Sequence, residues 1–158
     1  MIVVWRTFVD LALGLAVALQ PRDSAEVRHA VARRGCTQED LPALEIVLSR
    51  ERYDGAAEME PPVPYLRLEV AWGAWARAGG RPLTLVPLNR NVVKDAPVAR
   101  GAWVADPTTP TWLTGTVRLQ QVDVGRRVVG AYDVRAPDGA RRAGRFTAEW
   151  VTQHGGCG

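Results

Sequence analysis

Catalysis needs nucleophiles, proton carriers or metal donors at workable spacings, and this sequence of 158 residues holds few of them. The histidines are His29 and His154, the serines Ser24 and Ser49, the cysteines Cys36 and Cys157. Neither serine stands in a nucleophile elbow. Cys36 with His29 would make a thiol–imidazole pair, but a cysteine close to a helical histidine reads as structural. No phosphate-binding loop, dinucleotide fingerprint, paired-histidine motif or calcium loop occurs, so neither a metal nor a cofactor is expected. Carboxylates remain. Glu45, Glu69, Asp133 and Glu149 fall in the middle of strand-like runs, on the faces opposite the apolar stripes. In a sandwich those faces meet solvent, which is the reading adopted here. In a barrel with a polar lumen, two of them would converge and do acid–base work.

Six tryptophans offer more to a ligand than to a reaction. Trp72 and Trp75 flank a Gly-rich turn, while Trp103 and Trp112 flank "DPTTPT". Exposed indole rings at loop ends stack on sugars or hold a flat apolar molecule. Trp72, Trp103 and Trp150 read first as core residues, which leaves Trp75 and Trp112 as the freer rings. A ligand site is expected where the Trp72–Trp75 turn and the Trp103–Trp112 loop reach one end of the sheet. Pro107 and Pro110 would stiffen that second loop and hold Trp112 in place.

The elements that must position these side chains are mostly strands. Leu44, Ile46 and Leu48 alternate with Glu45, Val47 and Ser49, and Leu66, Leu68, Val70 and Trp72 alternate with Arg67, Glu69 and Ala71. Weaker runs cover Pro82–Val86 and Ala99–Ala105. Trp112–Val122, Arg126–Arg135 and Arg141–Trp150 form a meander. About seven strands predict an all-β antiparallel barrel or strongly curved sandwich. "RDSAEVRHAVARRGC" reads as a short helix ahead of them, with Asp23 and Glu26 as a loose capping box and Gly35 at C′. The expected core is Leu44, Ile46, Leu48, Leu66, Leu68, Val70, Val117, Leu119, Val128, Tyr132, Phe146 and Trp150.

The segment "GAYDVRAPDGARRAGRFTAEW" fixes a register. A three-residue loop, Pro137-Asp138-Gly139, pairs Tyr132 with Gly144, Gly130 with Phe146, Val128 with Ala148 and Arg127 with Glu149. Each glycine then faces an aromatic ring, which lets the sheet bend without losing packing. In the preceding hairpin, Asp123-Val124-Gly125 as a three-residue loop would turn Val117 and Leu119 away from Tyr132. An even-length loop or a bulge instead puts Gly115, Val117 and Leu119 beside Tyr132, Gly130 and Val128. That is the expectation here, because a one-residue slip flips every side chain.

Composition bounds the rest. The hydrophobic share is 47% and the net charge +3, carried by nineteen Arg and one Lys among seventeen acidic residues. Arg126, Arg127, Arg135, Arg141, Arg142 and Arg145 come closest to a basic patch, but they lie near strand ends and turns, so nucleic acid is not an expected partner. Residues 1–18 resemble a signal peptide, with Arg6, an apolar run over Thr7–Val17 and the small-x-small pattern at Ala16–Ala18. Residues 19–35 form a linker with the short helix, and residues 36–158 one β domain without a membrane span. A secreted or periplasmic location follows, and in that setting Cys36 and Cys157 are expected to pair.

Two segments, "GCTQEDLPALEIVLS" and "GTVRLQQVDVGRRVVGAYDVRAPDGARRAGRFTAEW", resemble the uncharacterised exported β-proteins of high-GC bacteria. That resemblance implies export and a β-fold, and no activity. The second segment is also similar in its strand-and-turn grammar to lipocalin- or avidin-type barrels. Three functions compete, and the first is the expectation because nucleophiles and histidines are so scarce. One is a non-catalytic extracytoplasmic domain that binds an envelope component. Another is a carrier of a small molecule or saccharide, and the last is an enzyme built on strand carboxylates.

Overall fold

The computed structural model describes residues 27–37, 41–55, 60–86 and 99–152. Nine strands and one short helix lie among them: β1 (His29–Cys36), β2 (Pro42–Ser49), β3 (Tyr65–Ala71), α1 (Ala74–Ala78), β4 (Leu83–Thr84), β5 (Ala99–Val104), β6 (Thr111–Trp112), β7 (Thr114–Asp123), β8 (Arg127–Arg135) and β9 (Arg141–Trp150). They form one curled sheet, a half-barrel, in the order β4-β7-β8-β9-β1-β2-β3-β5-β6. Neighbours are antiparallel except β1 and β9. Leu85, just after β4, bridges Ala99 of β5, so the far edges of the sheet meet at that point.

The all-β expectation holds at this level, with nine strands rather than about seven. The short helix does not hold: His29–Cys36, read as its second half, is strand β1. Residues 1–26 lie outside the described residues, and with them the start of that helix and the leader. The misreading has a physical cause. Val27, Ala30 and Val31 suit a helical face, but β1 lies between two strands and buries both of its faces. Ala32 joins the main core while Val31 joins a second cluster. Pairing along eight positions of β2 outweighs the local helical preference. Gly35 caps no helix. It stands opposite Ala43, and a Cβ there would lie 3.0 Å from Glu45 Oε2.

The concave side holds the main core. Leu44, Ile46, Leu48, Leu66, Leu68, Val70, Val117, Leu119, Val128, Tyr132 and Phe146 are all buried there, and Trp150 packs against them partly exposed. This is the core expected from alternation. The β8–β9 register is also the expected one, pair for pair. Gly139 takes φ 89° in its loop, where only glycine is comfortable. In the β7–β8 hairpin a bulge at Gln120 places Val117 opposite Tyr132 and Leu119 opposite Gly130. The buried face is the one the apolar pattern demanded, with pairings displaced by two residues from Gly115–Tyr132.

A second, smaller cluster lies on the convex side: Val31, Val47, Tyr53, Tyr65, Ala102 and Val104, with Trp112 and Val151 against it. Its strands read as near-continuous buried runs, whereas β8 and β9 alternate buried with exposed positions.

Candidate functional site

The tryptophans divide between the two ends of β3. Trp72 follows its C-terminal end and meets Trp75 edge-on at 5.0 Å between ring centroids, with Trp150 6.4 Å away. Trp75 is in helix α1, held against the core by Ala74 and Ala78. The Arg34 guanidinium lies over Trp72 at 5.0 Å, a cation–π contact. Trp103 pairs with Thr111 and opposes Leu66, at the other end of β3. At ~3.3 Å per residue, about 20 Å of strand separates it from Trp72. Arg142 covers the Trp103 ring at 4.0 Å. Trp112 belongs to the convex cluster instead. The structure therefore brings Trp72 and Trp75 together and keeps them apart from Trp103 and Trp112. A ring capped by a guanidinium stands near each end of the concave side.

Carboxylates expected in solvent are largely buried in two of four cases. Strand order lines up Arg33, Glu45, Glu69 and Arg100 in one row, each directly opposite the next on β1, β2, β3 and β5. Glu69 and Arg100 are buried, and Arg33 and Glu45 nearly so. The expectation fails for Glu45 and Glu69 because the convex face of these four strands carries its own apolar cluster. Asp133 and Glu149 are exposed, as expected. Arg33 Nε donates to Glu45 Oε2 at 2.8 Å, and its Nη1 donates to the Tyr53 hydroxyl at 3.0 Å. Arg67 Nε lies 3.3 Å from Glu69 Oε1.

Electrostatics follow from that packing. Burial alone would lower the Arg33 pKa, but the hydrogen bond and charge of Glu45 outweigh it and raise the value. Burial pushes the Tyr53 phenol up, with the Arg33 charge opposing, and it does the same to Tyr65 with Arg67 opposing. The row alternates in neither sign nor size: two carboxylates stand side by side, and a guanidinium stands at each end. Glu45 is engaged as an acceptor, which suits charge neutralisation better than proton transfer. Arg33, Arg100, Tyr53 and Tyr65 were not singled out from sequence. The available signal was small residues around a charge, as in Ala99-Arg100-Gly101-Ala102.

Where β1 runs parallel to β9 only two residue pairs form, Val31 with Glu149 and Ala32 with Trp150. Beside this seam lies a recess of about 440 Å³ with Ala30, Val31 and Val151 among its walls. Arg28, His29, Arg52, Tyr53, Asp54, Thr147 and Glu149 complete it. Gly55, at φ 78°, lets the chain after Arg52 lie on Val151, because any Cβ there would strike that side chain. Among the described residues, the side chains of His29, Arg52, Thr147 and Glu149 have no hydrogen-bond or ion-pair partner. Both signs of charge, an imidazole and a hydroxyl thus face one opening.

Among the described residues no group of three or more His, Cys, Asp or Glu side chains is placed to hold a metal ion, and no helix is long and apolar enough to cross a membrane. His154 and Cys157 lie outside the described residues. No protein-family model matches this chain, and neither the curated proteins nor the solved structures include a significant match.

Proposed function

We propose that this chain is a non-catalytic extracytoplasmic β domain that binds a polar component of the cell envelope at the β1–β9 seam. One observation carries the reading: the side chains of His29, Arg52, Thr147 and Glu149 line the recess with no partner among the described residues. Unpartnered polar groups around a small apolar floor recognise a ligand that brings both donors and acceptors, such as a saccharide or a short peptide. A carrier built on the concave side is less well supported, because that side is filled by the main core and by the two capped indoles. An enzyme built on Glu45 and Glu69 is less well supported too, since Arg33 occupies Glu45. Export is part of the proposal, together with a Cys36–Cys157 disulfide. No described cysteine is a free thiol, and the chain has two cysteines in all.

The test is thermal unfolding of the full chain with neutral disaccharides, hexuronates and dipeptides at millimolar concentration. A ligand at a hundredfold excess over its Kd stabilises by about 2.7 kcal/mol. At least one probe should raise the Tm of the wild type and leave Arg52→Ala and His29→Ala unmoved. A response that survives both substitutions moves the binding elsewhere and removes the argument.

A further inference from the structure

We infer that the convex face of β7, β8 and β9 is a docking surface for an anionic polysaccharide, an assignment independent of the seam recess. The strand register builds it. Arg118, Ala131 and Arg145 form one row across the three strands; Thr116, Asp133 and Ala143 the next; Thr114, Arg135 and Arg141 the third. These nine positions make a rectangle with exposed arginines at three corners, Arg118, Arg145 and Arg141, while Arg135 stands mid-edge between Arg141 and the Thr114 corner. Its sides are about 10 Å across two strand spacings and about 13 Å along four residues. Its centre is the exposed Asp133, and the middles of its other three edges are Ala131, Ala143 and Thr116, half-buried and short.

Asp133 is the only acidic residue of the rectangle, and Arg141 holds it with two bonds of 2.8 and 2.7 Å. Arg118 gives its Nε to the Gly80 carbonyl at 2.6 Å, and its terminal nitrogens have no hydrogen-bond partner among the described residues. The guanidinium groups of Arg135 and Arg145 make no ion pair or hydrogen bond with the described residues, although the Arg135 charge acts on Asp133. Four exposed guanidinium groups around one acid leave a net positive face, which attracts carboxylates and sulfates and can bind them in pairs of parallel bonds. The sequence view, that these arginines sit near strand ends, did not reveal the array. Register gathers Arg135, Arg141 and Arg145 with Arg118, and sends Arg142 to the concave side.

The remaining chemistry selects the polymer. No aromatic side chain stands on this face, so bases of a single-stranded nucleic acid find no ring to stack on. The one apolar side chain larger than alanine on this face is the half-buried Val129, too little to enter a bilayer, and the sheet curls away, so a flat membrane would meet only a strip of it. A flexible linear chain of acidic sugars follows the curvature and sets its charges against the arginines.

The experiment is fluorescence anisotropy of a labelled heparin fragment with the full-length protein, titrated across salt concentrations. Binding should weaken steeply with salt. Arg135→Gln with Arg145→Gln should weaken it about tenfold and reduce the salt slope by about 1 per arginine. Asp133→Asn, which releases Arg141 and removes the lone acid, should tighten it. Arg77→Gln, an exposed arginine on α1, should leave it unchanged. Circular dichroism confirms that each variant keeps its fold. Absence of salt-dependent binding, or equal losses in Arg77→Gln, overturns the docking surface. Equal or tighter binding of an oligo-thymidylate, or of vesicles rich in phosphatidylserine, overturns the choice of polysaccharide.

Discussion

Replacing Gly130 with alanine should destabilise the protein, although alanine is ordinarily the better residue within an extended segment. A Cβ at this position would lie 2.7 Å from the Arg118 carbonyl oxygen and 2.7 Å from Phe146 Cζ. The ring belongs to the buried core, and the carbonyl belongs to the neighbouring strand of the ladder. Neither yields easily. Overpacking of this kind costs about 1–3 kcal/mol, while leaving glycine returns roughly 0.5–1 kcal/mol through the unfolded chain. The net loss should be about 1–2 kcal/mol, or a fall in Tm of roughly 3–8 °C. Urea denaturation followed by Trp fluorescence measures it, with the slope unchanged so that the midpoint reports stability alone. Gly144→Ala is the comparison: its Cβ would meet only the Tyr132 side chain, at 2.9 Å from the hydroxyl, and a side chain can move. The loss there should be smaller. In a Phe146→Leu background the Gly130→Ala penalty should shrink without vanishing, because the Arg118 carbonyl stays. A Gly130→Ala protein as stable as wild type would refute the close-approach argument.

Intact-mass measurement before and after reduction should show the two-hydrogen difference of a Cys36–Cys157 bridge, and reduction should cost on the order of 4 kcal/mol for so long a loop. Asp133→Asn should cost under about 1 kcal/mol at neutral pH, because the Arg141 pair is half exposed. The hydrogen bond from Arg141 lowers the Asp133 pKa, so its stabilisation is full above the unfolded carboxylate value and is lost as pH falls through the folded one. The gap between wild type and Asp133→Asn in urea midpoint should therefore close in acid. Trp72→Ala, which breaks up a ring trio and a cation–π contact, should cost about 3–5 kcal/mol. Trp112→Ala, in the smaller convex cluster, should cost less by the same measurement.

How legible the fold was depended on how local its causes are. The β8–β9 hairpin follows from one turn and one alternation, and its pairs came out as read. The bulge at Gln120 was legible as a need, since Val117 and Leu119 had to face inward, though not as a place. β1 was not legible. Its role depends on parallel pairing with β9, more than a hundred residues away, and burial on both sides erased the period of two. The site suffered similarly. Glu45 and Glu69 were visible as carboxylates, but the row from Arg33 to Arg100 exists only through the order of four strands. Four arginines scattered over three strands gather on one face for the same reason. The indoles misled because the Trp72–Trp75 turn and Trp103 lie at opposite ends of β3, which only the strand pairing reveals.

The sheet changes character along its width, and that change tells where binding belongs. Across β2, β3 and β5 both faces are buried, and β1 buries both at Val31 and Ala32, so these strands contribute mainly to stability. Across β7, β8 and β9 one face packs and the other meets water, so half of every strand is free to carry side chains for another purpose. The seam recess opens where these two regimes join, at the parallel contact of β1 with β9, because two strands paired over so short a length leave space between them. On the concave side, core residues and the indoles capped by Arg34 and Arg142 take up the surface that a lipocalin-like carrier would need. Both proposed ligand sites therefore lie on the outside of the curl. There the rigid β7–β8–β9 ladder fixes the positions of its arginines at no cost to the core.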